Sequence, residues 1–158
     1  MKTITRSNIY LPMAAMIMTA ALAVPAAAKQ QVPFKGTFQG SDTVTPPTVA
    51  VAATGTGTHL GQFSFTHVFS LNTLTGSAHW VAANGDSIDS TSVVSAVRGP
   101  VVVTVTEIHT ITGGTGRFSG AQGSFTVHRT HLQALSDDGT HVTFGWFEGT
   151  ITSPGSAQ

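Results

Sequence analysis

The chain has 158 residues, 41% hydrophobic and 9% charged, and its seven basic and seven acidic side chains give zero formal net charge. That length suits one domain, or one domain behind a leader, and a chain of this size buries roughly two-thirds of its extended surface. Zero net charge argues against a nucleic-acid binder, and the absence of cysteine excludes a disulfide framework, a thiolate zinc site and a thiol nucleophile.

Residues 1–28 read as a secretory signal peptide. Lys2 and Arg6 form a basic start, Leu11 to Val24 is apolar but short for a bilayer span, and Pro25-Ala26-Ala27-Ala28 supplies the small residues of a cleavage site. The expected mature chain is a single domain, 29–158, exported to the periplasm or the medium, with no membrane span left after cleavage. It holds 22 Thr and 15 Val against 5 Leu, 2 Lys, 2 Glu and no Met. Side chains stiff at the first torsion favour strands, and no window carries the apolar stripe of a helix. The mature chain is therefore expected to be all-β.

Alternation of apolar and polar residues places about eight strands. The first is expected at Pro33–Gly40, with Phe34, Gly36 and Phe38 on one face, followed by a loop from Ser41 to Pro47 because paired prolines cannot sit in a central strand. Thr48–Thr56 comes next, then Gly61–Leu71, in which Phe63, Phe65, His67 and Phe69 alternate with polar residues. Ser77–Ala83 leads into Asn84-Gly85, read as a type I′ hairpin turn. Ser87–Val97 and Val101–Thr112 follow. A Gly-rich stretch, Gly113 to Gly123, opens Ser124–Leu135. Asp138-Gly139 turns the chain into Thr140–Thr152, and Ser153 to Gln158 is expected to fray. Eight consecutive strands with short turns predict a closed antiparallel barrel or a sandwich, with Phe and Val rows inside and Thr, Ser and Gln outside. An outward polar face and the lack of aromatic girdles argue against an outer-membrane barrel.

The Gly-rich stretch fails as a phosphate cradle. No Lys-Ser/Thr pair follows it, Ser119 stands where a dinucleotide fingerprint needs its third glycine, and the next element is a strand. Its glycines suit a sharp corner, with Gly113, Gly114, Gly116 and Gly120 shaping the loop and Phe118 tucked into the barrel end. The string ITGGTGRFSGAQGSF, Ile111–Phe125, resembles the hallmark segment of the allene oxide cyclase and dirigent superfamily, and AANGD, Ala82–Asp86, resembles exported bacterial proteins with the same barrel-like domain. The resemblance implies a single eight-stranded antiparallel β-barrel with an apolar lumen, and it implies a homo-oligomer without fixing a stoichiometry. It also implies an acidic residue on the first strand in the cyclases and a tyrosine in the dirigent proteins. Pro33–Gly40 contains neither Asp nor Glu, and Tyr10 leaves with the leader. No catalytic residue carries over.

Two glutamates remain, Glu107 and Glu148. Without a bulge, Glu107 shares its face with Val103, Val105 and His109, where a carboxylate is costly unless paired. Glu107 and His109 are thus candidate acid/base groups; the alternative for Glu107 is a salt bridge to Arg129. Seven histidines show no metal-ligand spacing, so no metal and no cofactor is assigned, although barrel neighbours can gather imidazoles from separate strands. There is no G-x-S-x-G elbow, and Asp86, Asp137 and Asp138 read as turn residues. Trp80 and Trp146 read as core. The expected function is non-catalytic binding of a small hydrophobic molecule in a lumen lined by Phe63, Phe65, His67, Trp80, Val103 and Phe125. The alternatives are a cyclase or isomerase that steers its substrate by shape, as the resemblance implies, and a structural protein acting through its outer surface.

Overall fold

The computed structural model describes residues 29–155; the expected leader, 1–28, and the last three residues lie outside the described residues. Eight strands run in chain order: β1 (Gln31–Thr45), β2 (Thr48–Gly57), β3 (Gly61–Ser70), β4 (Thr75–Ala82), β5 (Ser87–Arg98), β6 (Val102–Gly114), β7 (Gly123–Leu135) and β8 (His141–Thr152). Each pairs antiparallel with the next, and β8 returns to β1, so the sheet closes into a barrel. Closure leaves no sheet edge, which is how a Thr- and Val-rich chain with few charges avoids edge-to-edge association. Among the described residues no helix is long and apolar enough to cross a membrane. The expected all-β, eight-stranded antiparallel barrel is the fold observed.

Alternation sets the inside. On β3, Phe63, Phe65, His67 and Phe69 are buried between exposed neighbours, and on β7 the buried set begins Phe125, Val127, Arg129. The β6 bulge falls opposite Asp89 and Ser90, beyond His109, so Glu107 and His109 both keep their inward side.

Several expectations need correction. The loop drawn from Ser41 to Pro47 is two residues long: Ser41 to Thr45 pair with Ala52 to Thr48, and only the cis Pro46-Pro47 pair breaks the ladder. Thr43, Val44 and Thr45 are β-branched or strand-prone, and their pairing with β2 outweighs the nearby prolines. The first strand therefore does carry an acidic residue, Asp42, fully buried. The Asn84-Gly85 hairpin is not type I′. Gly85 alone takes a positive φ there, at 88°, with Gly85 N–H donating to Ala82 O and Ala82 N–H to Asp86 O, which is a type I turn closed by a glycine bulge. Gly139 repeats this geometry between Ser136 and Thr140. Trp146 is not core: Phe147 holds the inward position on β8, and Trp146 lies outside, 44% exposed and stacked on His128. Ser153 to Gly155 are tied down, with Ser153 N–H on Gln30 O and Gly155 N–H on Arg117 O.

The lumen divides into two halves. Toward the Gly-rich corner, Phe34, Phe63, Phe65, Trp80, Phe125 and Phe147 pack ring on ring at centroid distances of 4.3–6.2 Å. Gly149 and Gly55 make room: a Cβ at Gly149 would meet the Cβ of Phe125 at 2.6 Å, and one at Gly55 would meet the Phe63 ring at 2.8 Å. A single 3-10 turn, Gly116–Phe118, places the Phe118 ring at this end. Toward the Pro46-Pro47 end the inward positions turn polar.

Candidate functional site

Six strands send polar side chains into that second half: Asp42 from β1, His67 from β3, Ser90 and Ser92 from β5, Glu107 and His109 from β6, Arg129 and His131 from β7, and Thr143 from β8. All are buried except His131, whose side chain is 12% exposed. Each stands at an inward position of its strand, and the cross-strand register brings them together.

Arg129 is the centre. Its Nε and Nη2 donate to Glu107 Oε1 at 3.0 and 2.8 Å, while Nη1 donates to Asp42 Oδ2 and, at 3.4 Å, to Thr143 Oγ1. His131 Nδ1 meets the same Asp42 oxygen at 2.6 Å. The guanidinium also sits over the Phe69 ring, 5.8 Å from its centroid. One cation thus bridges two carboxylates, a pairing that desolvation makes costly unless the hydrogen bonds are well made.

The second oxygen of Glu107 faces histidines instead. His109 Nε2 lies 3.2 Å and His67 Nδ1 3.4 Å from Glu107 Oε2. The far ring nitrogens are held by serines: His67 Nε2 is 2.7 Å from Ser92 Oγ, and His109 Nδ1 is 3.0 Å from Ser90 Oγ, which also accepts from Trp80 Nε1 at 3.4 Å. Burial pushes His67 down to about 4, against the opposing pull of Glu107, so its imidazole is neutral at pH 7. Burial alone would raise the Glu107 carboxyl, but the His109 hydrogen bond and the charge of Arg129 outweigh it and hold the group at about 2. Two buried atoms in the cluster have no hydrogen-bond partner: Asp42 Oδ1 and His67 Nδ1. The His67 contact with Glu107 is close enough for electrostatic attraction but is not a formed hydrogen bond.

Of the candidate residues, Glu107, His109 and His67 come together here; Glu107 makes the salt bridge to Arg129 through one oxygen and meets His109 with the other. Phe63, Phe65, Trp80 and Phe125 belong to the aromatic half, and Val103 is half-buried near the Pro46-Pro47 end. The aromatic half touches the cluster through Phe125, stacked on His109 at 4.8 Å, and Trp80, 6.0 Å from it. In the Gly-rich loop, Gly116 has φ 54° and the Asp86 carboxylate packs where its Cβ would be. Glu148 points outward beside a broad external groove of about 630 Å³ shared with Trp146 and Thr56. A second outer-wall groove of about 1050 Å³ crosses β8, β1, β2, β3 and β4, and neither of these two touches the polar cluster.

Asp42, His131, Ser90, Ser92 and Thr143 were not singled out by the sequence. Arg129 was named as the partner of Glu107, and His131 was within reach, since period two along β7 carries Phe125, Val127 and Arg129 onward to it.

No protein-family model matches the chain, and no curated protein matches it in sequence. Among solved structures, the chain is similar to a dirigent protein described as a pterocarpan synthase, at 10% identity and a TM-score of 0.48, over 86% of this chain and 99% of that one.

Proposed function

We propose that this barrel is an exported protein that binds a small hydrophobic molecule in its lumen without catalysis, entering from the Pro46-Pro47 end. The observation that carries the reading is the pair of buried orphans, Asp42 Oδ1 and His67 Nδ1, in the half of the lumen where Val49, Phe69, Val94 and Val105 are also buried. A buried polar atom without a partner costs about 1–3 kcal/mol. An apolar ligand bearing one hydroxyl or amine would relieve that cost while its body replaces water against the apolar wall. Val103 and His131, both partly exposed at this end, are the proposed route. Export rests on the leader read from the sequence, and N-terminal sequencing of the protein recovered from its own medium or periplasm should begin at Lys29.

The test is native mass spectrometry of protein purified from its natural compartment, before and after solvent stripping. An added mass of a few hundred daltons, released by solvent and regained from the extract, supports the carrier. A bare mass even after incubation with apolar alcohols overturns it.

A second reading, a cyclase or isomerase, draws on one observation: a neutral imidazole, His67, and the Glu107–His109 pair face the same space. Glu107→Gln and His109→Ala would abolish turnover of the recovered molecule in an enzyme and leave its retention nearly unchanged in a carrier.

A further inference from the structure

We propose that His67, Glu107 and His109 form a binding site for one divalent transition-metal ion of the zinc or copper class. The donor atoms, His67 Nδ1, Glu107 Oε2 and His109 Nε2, all lie within 4.8 Å of one another, and the two edges that meet at the carboxylate measure 3.4 and 3.2 Å. Around a tetrahedral ion with bonds of about 2.1 Å, ligand atoms stand about 3.4 Å apart. Two edges already have that length, and a small rotation of one ring closes the third. Two imidazole nitrogens and one carboxylate oxygen are a donor set that zinc and copper accept, with a fourth position left for water or a ligand group.

Three features of the cluster favour an ion over a fortuitous gathering. Glu107 divides its oxygens: Arg129 occupies Oε1 alone, so Oε2 is left to the imidazoles. Each histidine has its far nitrogen fixed by a serine, Ser92 for His67 and Ser90 for His109. This is the outer support that metal-bound imidazoles use to set tautomer and ring angle. Ser90 Oγ can accept from both Trp80 and His109 Nδ1–H, because a hydroxyl has two lone pairs. In the tautomers with both distal nitrogens protonated, three lone pairs converge on the point an ion would occupy, and binding displaces the Nε2 proton through which His109 otherwise donates to Glu107. Finally, His67 Nδ1 is fully buried, aimed at that convergence, and without a hydrogen-bond partner. Charge is compatible as well: Asp42, Glu107 and Arg129 sum to one negative charge, which a divalent ion reverses rather than compounds.

This inference does not rest on the carrier reading, although both use His67 Nδ1: with an ion bound there, Asp42 Oδ1 is the orphan left for the polar group of an apolar molecule. The test uses tag-free mature protein stripped with a chelator, then exposed to Zn²⁺, Cu²⁺ or Co²⁺ alone. One ion per chain by elemental analysis is expected, together with the intense visible bands of tetrahedral Co²⁺ and, for Cu²⁺, hyperfine structure from two nitrogens. His67→Gln and His109→Gln should each weaken binding at least a hundredfold, while His79→Gln, an exposed histidine, should leave it unchanged. If either cluster variant fails to fold, the Cu²⁺ nitrogen count on the unmodified chain decides. Binding that survives both cluster substitutions, a spectrum without nitrogen ligands, or less than 0.1 ion per chain at about micromolar metal would each overturn the site. An ion lost to chelator is separable from a mass of a few hundred daltons lost to solvent, so this site and the carrier reading can fail independently.

Discussion

The two halves of one lumen are built on the same strands and obey opposite rules. Toward the Gly-rich corner the inward positions are Phe, Trp and Gly, and rings fill the space against one another. Toward the Pro46-Pro47 end the same alternation delivers Asp42, His67, Glu107, His109, Arg129 and His131, a network of charges and imidazoles. Apolar packing stabilises whatever fills it; a buried ion network gains little net stability and collapses if one member is lost. The contrast teaches that one half maintains the barrel by packing, while the other carries a desolvation cost that packing does not explain.

The largest effect should come from unbalancing the polar half. Arg129→Met removes the one guanidinium between Asp42 and Glu107, leaving two buried carboxylates held only by histidines, and should cost about 3–5 kcal/mol in urea unfolding. Replacing the three charges together, Asp42→Val, Glu107→Leu and Arg129→Met, should return most of that loss, because the desolvation cost leaves with them. If the triple variant is as unstable as the single one, the network is structural and the contrast between the halves fails.

In the aromatic half there is no such rescue. Trp80→Ala removes a fully buried ring in contact with Phe65, Phe125 and Phe147 and should cost about 3–5 kcal/mol. Nothing smaller repairs it, since the surrounding rings relax only in part.

The halves should also separate in their response to pH, measured on chelator-treated protein. His67 sits at about 4 in the folded chain against an ordinary 6.5, so as pH falls below 6.5 the unfolded chain takes the proton first and stability drops until about 4. Glu107, at about 2 against 4.5, is likewise depressed, so its contribution is present above 4.5 and lost as pH falls toward 2. Each limb should be worth about 3 kcal/mol. His67→Gln should flatten the first limb and leave the second. A urea midpoint constant from pH 7 to 4.5 would contradict the burial of His67.

The aromatic half was legible from the chain alone because its signal is local. Phe63, Phe65 and Phe69 announce their shared face within one strand, and eight such runs with short turns leave few topologies besides a barrel. The polar half was not, because its members come from six strands and meet only through register. Asp42 was hidden by Pro46-Pro47, which ended the expected strand early and made an inward carboxylate look like loop chemistry. Trp146 was misplaced for a related reason: Phe144, Trp146 and Phe147 all favour burial, so hydrophobicity alone cannot choose the parity of β8. Pairing with β1 and β7 chooses it, turning Thr143, Gly145 and Phe147 inward.

The smallest predicted effect uses the two tryptophans as reporters of inside and outside. Trp146→Ala removes an exposed ring whose contact with the barrel is the His128 stack at 4.0 Å, and should cost about 1 kcal/mol or less. Its value lies in what remains. With Trp146 gone, Trp80 is the sole indole, fully buried and bonded through Nε1 to Ser90, so emission should shift to the blue and resist acrylamide quenching. Because Ser90 also holds His109, an ion or ligand settling in the polar half should change that emission from across the boundary between the halves. An unquenched Trp80 whose emission ignores saturating ligand would mean that the two halves, though joined by Ser90, do not communicate.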